Sequence, residues 1–370
     1  MSRELHISYR LTLETLSPIH IGSGKGELLQ DYDFIVEGNR AVIVNLERLP
    51  AEIDEERLTA AGADPKLSLL LAPEEIERFK SYEIDIAAGH PHQIREHVKD
   101  AFDRLYIPGS SIKGALRTAL AWSAHHGALT LGGLGERNDP GKADDSVEAG
   151  IFDYDPRDTH RDLLRALRLT DAYPQGGVMP RALPVTVFSL YGQPPSLQPS
   201  GEPTFLEVIP KGTTIEATLT LDRYILRPER RVRRMYHFRR RHFFDQLVER
   251  CRAFSAEIVK LELQFFSDCG IWKLQGFYEA LVRRQASLKD GEFLLPIGWG
   301  TGWLGKTLGT KLTSAEVNTV AETYQLEKWQ GPLFPKVFPK TRQLVGDGQA
   351  REPLGWVRMS LRGIDGRQSV

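Results

Sequence analysis

Residues 106–120 read YIPGSSIKGALRTAL, and this stretch decides the fold because it marks where an extended segment becomes a helix. The apolar spacing after the short lead-in predicts a helix from about Ile112. Ser110 or Ser111 would cap that helix. The first backbone N–H groups of a helix have no partner within it, so they would point outward and form an anion site.

Two cations share one face of the same predicted helix. Lys113 and Arg117 are four residues apart, a spacing that brings side chains together on an α-helix. Cations at the positive end of the helix dipole favour a negatively charged partner there. Gly114 would let a phosphate chain approach closely. A capped amphipathic helix with solvated cations is the alternative interpretation.

A glycine-rich segment near the N terminus is the second candidate site. Residues 17–27, SPIHIGSGKGE, follow an alternating strand over residues 3–16 and predict a loop. Closely spaced glycines can present their N–H groups as an anion-binding nest. His20 is either a structural or a catalytic histidine. The candidate phosphate-binding residues of this segment are Gly22, Ser23, Gly24 and Lys25.

The third candidate site matches a nucleotide-binding pattern. Residues 300–307, GTGWLGKT, fit G-x-x-x-x-G-K-[ST], although a P-loop should follow a buried strand and open a parallel α/β domain. Trp299 and Trp303 would also crowd the phosphates. An NTPase therefore stays an alternative, while the loop can still cradle a phosphate backbone. The candidate residues for contacting that backbone are Gly300, Gly302, Gly305 and Lys306.

The most basic part of the chain is residues 223–241, RYILRPERRVRRMYHFRRR. Arginines interleaved with aromatic rings suit single-stranded nucleic acid, because guanidinium groups bind phosphates and rings stack on bases. A solvated helix start or a protein-docking surface is the alternative. The candidate RNA-binding residues here are Arg230, Arg231, Arg233 and Arg234.

Two weaker patterns concern catalysis and metals. Asp31 and Asp33 in LLQDYDF would share a strand face and could serve as a carboxylate pair for RNA cleavage. A charged hairpin edge is the favoured interpretation of that pair. Three histidines near residue 90 lack well-placed acidic partners, and His97 is expected on a helix surface. We therefore expect no metal site and no cofactor.

Composition sets the class of protein. The chain has 370 residues, 41% of them hydrophobic, and a formal net charge of −1, so any nucleic-acid site must be a local patch. Cys251 and Cys269 lie outside CxxC pairs, which is typical of a reducing cytosol. Neither a signal peptide nor a membrane span is expected, so the protein should be cytoplasmic.

The order of elements predicts the fold class. A pattern of strand, glycine loop, helices and strands occurs roughly twice, with residues 46–103 mainly helical and residues 127–160 a flexible, partly disordered insertion. Residues 31–44 predict a hairpin that turns at Gly38 and Asn39, and residues 205–222 predict two strands joined by a turn at residues 210–212. A long helix is predicted after residues 223–241, and LGWVRMSL near the end predicts a closing strand. Because the strands come in hairpins, α+β fits better than a doubly wound fold. We expect two ferredoxin-like units with insertions, over residues 1–200 and 201–370.

Together, SPIHIGSG, YIPGSSIKGALR and GWGTGWLGKT resemble the RAMP superfamily of CRISPR-associated proteins. Within it, the basic middle and the tail PKTRQLV…PLGWVRM resemble the family of fifth subunits of type III-A Csm interference complexes. The resemblance implies tandem ferredoxin-like (RRM-like) RAMP domains with helical insertions. It also implies that the helix motif, with Ser110, Ser111, Lys113 and Arg117, lies along an RNA backbone.

The functional implications of the resemblance are equally specific. The resemblance implies that the protein is a non-catalytic subunit that holds the 3′ part of the CRISPR RNA and caps the backbone filament. It would meet target RNA only through that guide. Its partners would be the backbone and small helical subunits, and host nucleases that trim the CRISPR RNA; no membrane is involved. A RAMP-type endoribonuclease, using His20 or the pair Asp31 and Asp33, is the alternative.

Overall fold

The computed structural model describes residues 5–62, 64–125, 145–153, 158, 161–192, 196–230, 232, 242–325 and 338–364. Within them the chain combines helices with two β-sheets. The predicted mixture of helices and strands is therefore confirmed. Among the described helices, none is both long enough and apolar enough to cross a bilayer.

The strands are numbered in chain order. They are β1 His6–Thr15, β2 Gly22–Leu29, β3 Phe34–Glu37, β4 Arg40–Val44, β5 Lys80–Ile86, β6 Gln93–His97, β7 Leu167–Leu169, β8 Tyr173–Pro174, β9 Arg181–Tyr191, β10 Ser196–Pro199, β11 Thr204–Val208, β12 Thr214–Asp222, β13 Glu292–Pro296, β14 Thr341–Val345, β15 Glu352–Pro353 and β16 Trp356–Gly363.

The helices are numbered in the same way. They are α1 Leu49–Glu52, α2 Glu55–Ala61, α3 Leu67–Leu70, α4 Ile76–Phe79, α5 Gly109–Ala124, α6 Asp145–Phe152, α7 Leu247–Asp268, α8 Trp272–Ala286, α9 Gly302–Lys306 and α10 Ser314–Thr323. Short 3₁₀ turns occur at Pro73–Glu75, Leu163–Ala166, Phe243–Gln246 and Gly309–Lys311.

A six-stranded sheet is built around β1. Its order is β13-β16-β1-β12-β7, with β8 also paired to β12. β1 runs antiparallel to both neighbours, with Leu13 opposite Ile215 on one side and Met359 on the other. Alternate residues of β1 are buried, as the polar–apolar alternation predicted. The predicted closing strand is confirmed as β16.

The core lies between this sheet and the helices α5 and α7. On α5 the buried residues include Ile112, Leu116 and Leu120, spaced so that they form one stripe. Phe254 and Ile258 of α7 belong to the same hydrophobic cluster. The helix predicted after the arginine-rich segment is thus confirmed as α7, and it packs against α5.

A ten-stranded sheet forms beside it. The order is β2-β6-β11-β9-β5-β4-β3, with β10, β14 and β15 attached. The predicted β3–β4 hairpin is confirmed, with Glu37 opposite Arg40. β11 and β12 flank the predicted turn at residues 210–212, but they belong to different sheets, so this turn joins the sheets. Each sheet takes strands from both sides of residue 200. The division of the chain into two domains at that residue stays a prediction.

Two sequence predictions about local structure are wrong. The glycine-rich segment is not simply a loop, because β2 pairs with β6 from Gly22 onward. A register shift between Gly22 and Glu27 leaves residues 23–26 as a bulge, where Gly24 and Gly26 have φ of 76° and 107°. Residues 46–103 likewise contain β5 and β6 besides their short helices.

The predicted flexible insertion is wrong over part of its length. Residues 145–152 of the segment 127–160 form helix α6, and Ile151 and Phe152 are buried in the main core. Burial of those two side chains stabilises a helix that the rest of the segment gave no reason to expect. Residues 126–144, 154–157, 159 and 160 lie outside the described residues.

Candidate nucleic-acid interface

The helix motif begins three residues earlier than predicted. Helix α5 starts at Gly109 after Pro108, and no side chain of its own segment caps it, so the assignment of a serine as the cap is wrong. Instead the Gly109 N–H donates to Asp171 Oδ1 at 2.8 Å. A Cβ at Gly109 would lie 2.7 Å from the carbonyl oxygen of Leu169. Glycine is therefore required where the helix start packs against the neighbouring backbone.

One face of α5 lines a surface groove of about 430 Å³ together with the two glycine segments. From α5 come Ser111, Gly114, Ala115 and Thr118, at helical spacing. The N-terminal segment contributes Ile21 and Gly22. The late loop contributes Pro296, Ile297, Gly298, Trp299, Thr301, Gly305 and Lys306. The fold thus brings together three motifs that are far apart in sequence.

Backbone contacts fix the late loop against the N-terminal segment. The Trp299 N–H donates to the His20 carbonyl at 2.8 Å. Gly298 has φ of +79°, and a Cβ there would lie 2.5 Å from that same oxygen. Only glycine combines this backbone conformation with so close an approach. The Gly355 N–H donates to the Pro18 carbonyl at 2.8 Å and strengthens the same junction.

A buried imidazole joins the N-terminal segment to the start of the helix motif. The Ile21 N–H donates to His97 Nδ1 at 3.1 Å, and His97 Nε2 lies 3.0 Å from the Tyr106 carbonyl. An imidazole that accepts at one nitrogen and donates at the other is neutral. Burial lowers the pKa of His97 to about 3, which agrees with that state. The expectation of His97 on a helix surface is wrong, since it is a buried residue at the end of strand β6.

His20 also has the contacts of a structural histidine. Its ring is buried, and Nδ1 lies 2.7 Å from the Glu207 carbonyl, to which it donates. Burial lowers the pKa of His20. The neutral ring packs edge-on against His97 and Trp299. Of the two interpretations left open by the sequence, these contacts favour the structural one.

Lys113 and Arg117 share a face, as predicted, but that face does not line the groove. The Arg117 guanidinium pairs with Glu148 at 2.5 Å and Asp162 at 3.3 Å. It also lies 4.6 Å from the ring centroid of Phe152. The negative charge predicted beside Arg117 is thus supplied by the protein itself, as two carboxylates. Burial lowers the pKa of Lys113, while nearby Asp162 opposes that shift.

The groove surface suits a sugar–phosphate backbone. Of the described residues that line it, Lys306 alone is charged, and partial burial lowers the pKa of its ammonium group. Ser111, Thr118 and Thr301 supply hydroxyls, and the glycines leave backbone accessible. Phosphate contacts from such groups position a nucleic acid without reading its sequence. A nucleic acid that lay in this groove would therefore be held through its backbone, whatever its sequence.

The late loop lacks the surroundings of a P-loop. The preceding strand β13 pairs antiparallel with β16, and the following helix α9 has five residues. The Thr307 hydroxyl donates to the Trp303 carbonyl at 2.8 Å. Gly300 and Gly302 face a second cavity of about 280 Å³ on the other side of the loop. This architecture does not favour the NTPase alternative.

The two aspartates proposed as a nuclease pair hold a turn. Asp31 lies between β2 and β3 with φ of 68°, and its carboxylate accepts from the Ser68 N–H at 2.9 Å and the Ser68 hydroxyl at 2.8 Å. Asp33 Oδ2 accepts from the Leu29 N–H at 2.7 Å. They lie in a turn rather than on one strand face. Both carboxylates therefore have structural partners.

The remaining candidates either do not line the groove or lie outside the described residues. The Ser23 hydroxyl accepts from the Lys25 N–H at 3.1 Å within the β2 bulge, and Lys25 and Ser110 are exposed. Arg230 is exposed. Arg231, Arg233 and Arg234 lie outside the described residues, so RNA binding by the arginine segment stays a prediction.

Comparison with known proteins agrees with the motifs. A model of the RAMP superfamily matches residues 12–304. The chain is 24% identical over 395 residues to the CRISPR system Cms protein Csm5 of Methanocaldococcus jannaschii, covering 96% of this chain and 89% of that one. It is 25% identical over 259 residues to Csm5 of Mycobacterium tuberculosis, covering 58% and 66%.

Solved structures show the same likeness. A chain in the cryo-EM structure of a type III-A Csm–crRNA–target RNA ternary complex is 25% identical, with a TM-score of 0.66 and coverage of 96% of this chain and 100% of that chain. The crystal structure of T. onnurineus Csm5 shares the fold, with 23% identity, a TM-score of 0.60 and coverage of 94% and 99%. Since the family model spans most of the residues, this protein belongs to the RAMP superfamily, and over nearly its whole length it is similar to Csm5.

Proposed function

We propose that this chain is a non-catalytic subunit of a type III-A CRISPR (Csm) complex and that its groove binds the guide RNA. The observation that carries the proposal is the meeting of three separate motifs at one groove with a single cation and several hydroxyls. The similar chain of known structure comes from a complex that contains crRNA and target RNA. That likeness supports RNA as the ligand class.

The groove would bind the guide through phosphates and shape. Base pairing between guide and target reads sequence, so the protein needs no base-specific contacts. We propose that the chain holds the 3′ part of the guide, caps the backbone filament and supports 3′-end maturation with host nucleases. It would meet other Csm subunits directly, and target RNA only through the guide, in the cytoplasm.

We also propose a ferredoxin-like unit in the six-stranded sheet. Along the chain, β1, α5, β7, β12, α7 and β16 follow the β-α-β-β-α-β order, and in the sheet their strands are arranged β16-β1-β12-β7. In this arrangement α5 is the first helix of the unit. The RNA-facing motif would then lie at the first strand–helix junction, with a second unit still to be assigned.

Salt-dependent RNA binding tests the proposed function. Purified full-length chain and a labelled single-stranded RNA are titrated at several salt concentrations, with Lys306→Ala beside the wild type. Loss of one phosphate contact should reduce the slope of log affinity against log salt by about 0.7–1. Lys260→Ala is the matched control, because Lys260 is exposed on α7 away from the groove motifs. An unchanged slope in Lys306→Ala would contradict the role of the groove.

RNA cleavage separates the endoribonuclease alternative. The same RNA is incubated with the chain, with and without magnesium, and resolved on a gel. We expect intact RNA, because His20, Asp31 and Asp33 all have structural partners. Specific cleavage that disappears in His20→Ala or Asp33→Ala would overturn the non-catalytic assignment.

A further inference from the structure

A rigid turn after β6 presents an aromatic ring to solvent. Residues 99–105 fold back, with a bridge between Lys99 and Leu105. Asp100 Oδ1 accepts from the N–H groups of Phe102 at 2.9 Å and Arg104 at 3.1 Å, while Oδ2 pairs with the Arg104 guanidinium at 2.7 Å. The turn is therefore ordered by its own side chains. Phe102, at 78% exposure, is the most exposed large apolar residue in the described part of the chain.

Planar groups continue inward from this ring. The Arg104 guanidinium lies 5.3 Å from the ring centroid of Phe102 and also 5.3 Å from that of Tyr173. Tyr173 in turn stacks on Tyr106, with centroids 5.6 Å apart and planes inclined by 22°. We call these four residues the aromatic ladder. The Arg104 guanidinium and the two tyrosine rings hold the Phe102 ring in place and leave it exposed.

The aromatic ladder adjoins the start of α5. Tyr106 opens the helix motif, and His97 binds its carbonyl oxygen. Ile107 and Ala172 exchange backbone hydrogen bonds of 2.8 and 2.9 Å, which fixes Tyr173 beside that segment. A cavity of about 880 Å³ lies against Arg104, Tyr173 and Met179. Phe102 does not line this cavity, and its ring is open to solvent. A base stacked on that ring would lie at the outer end of the aromatic ladder, whose inner end is at the start of α5.

We propose that Phe102 is a stacking platform for one unpaired nucleobase of a single-stranded RNA. The proposal rests on the proposed RNA-binding function and adds a second contact to it. A preordered exposed ring binds any base through its π-face and loses little conformational freedom. Asp100 neutralises Arg104, so this contact depends on stacking more than on charge. Sequence tolerance is what a guide-binding protein requires.

The first test replaces the ring. Full-length Phe102→Ala should bind single-stranded RNA roughly 5- to 150-fold more weakly, the range for loss of one stacked base. Phe102→Trp should restore affinity and Phe102→Leu should not, since leucine is apolar but cannot stack. Melting temperatures should not change, because the ring is exposed. Trp272→Ala is the matched control, an aromatic 72% exposed at the start of α8.

The second test identifies the base. A single abasic position is moved along the RNA, and we expect one position where it weakens wild-type binding but has no further effect on Phe102→Ala. Equal losses in both proteins at every position would overturn the proposal. So would unchanged RNA affinity in Phe102→Ala, even if that variant lost a protein partner. Failure of the wild type to bind RNA at all would instead contradict the proposed function itself.

Discussion

Acidification should lower the unfolding free energy of the protein through His97, the buried neutral histidine that joins two motifs of the groove. Its pKa is about 3 in the folded protein, against an ordinary value of 6.5. Between those values the unfolded chain binds a proton that the folded protein does not. Stability from this group is therefore fully present above pH 6.5 and is lost as the pH falls toward 3.

The magnitude follows from the two pKa values. Each pH unit within the window is worth about 1.4 kcal/mol for one group, so His97 should cost about 2 kcal/mol of unfolding free energy between pH 7 and pH 5. Protonation would also remove the acceptor at Nδ1 for the Ile21 N–H. In the folded protein that contact is lost only as the pH approaches 3, so the RNA affinity of the folded protein should not change through His97 between pH 7 and pH 5.

Urea unfolding at a series of pH values measures this effect. His97→Gln keeps an acceptor and a donor but does not titrate, so its unfolding free energy should fall less on acidification, by about 2 kcal/mol at pH 5. His90→Gln removes an exposed histidine and should retain the wild-type profile. Parallel pH profiles for wild type and His97→Gln would refute the argument that a neutral buried imidazole connects the motifs.

Two further substitutions separate fold from binding. Arg117→Met should lower the unfolding free energy by about 1–3 kcal/mol, because it leaves Glu148 and Asp162 without their cation. Its affinity for RNA should stay that of the wild type. A loss of RNA affinity without a loss of stability would show instead that Arg117 contacts RNA. Gly298→Ala should lower the unfolding free energy by at least about 1–2 kcal/mol, because residue 298 has a left-handed backbone conformation, and it should also weaken RNA binding. Urea unfolding and filter binding measure the two effects. A variant with wild-type stability and full RNA affinity would contradict the close contact between Gly298 and the His20 carbonyl.

Local patterns predicted the elements that carry the groove. β1 buries one face in the sheet and α5 buries one stripe, and each leaves a periodic pattern of apolar residues. A few consecutive residues are enough to recognise such a pattern. The β3–β4 hairpin was predicted from its glycine–asparagine turn, which is also a signal of a few consecutive residues. Residues 80–86, KSYEIDI, also alternate, and that signal could have identified β5 among the helical predictions.

Long-range pairing accounts for what the sequence did not predict. β2 is a strand because β6, about 70 residues later in the chain, pairs with Gly22 and with residues 27–29 on either side of the bulge. Likewise, Glu148, which pairs with Arg117, comes from a segment without periodicity. The hydrogen-bond partners of His97 come from three different segments, at Ile21, Tyr106 and Glu207. The three candidate motifs could be recognised one by one, but their meeting at a single groove required the fold.

The most direct test of RNA binding along α5 is Gly114→Ala. Nothing lies within 4 Å of a Cβ built at Gly114, so the substitution should stabilise the helix by about 0.5–1 kcal/mol. Gly276→Ala on α8 is an equally open helical site and should stabilise the protein without changing RNA affinity. If RNA packs against α5, Gly114→Ala should instead bind roughly 5- to 150-fold more weakly, the effect of crowding a close contact. A Gly114→Ala protein that is more stable and binds RNA as tightly as the wild type would contradict the assignment of this groove.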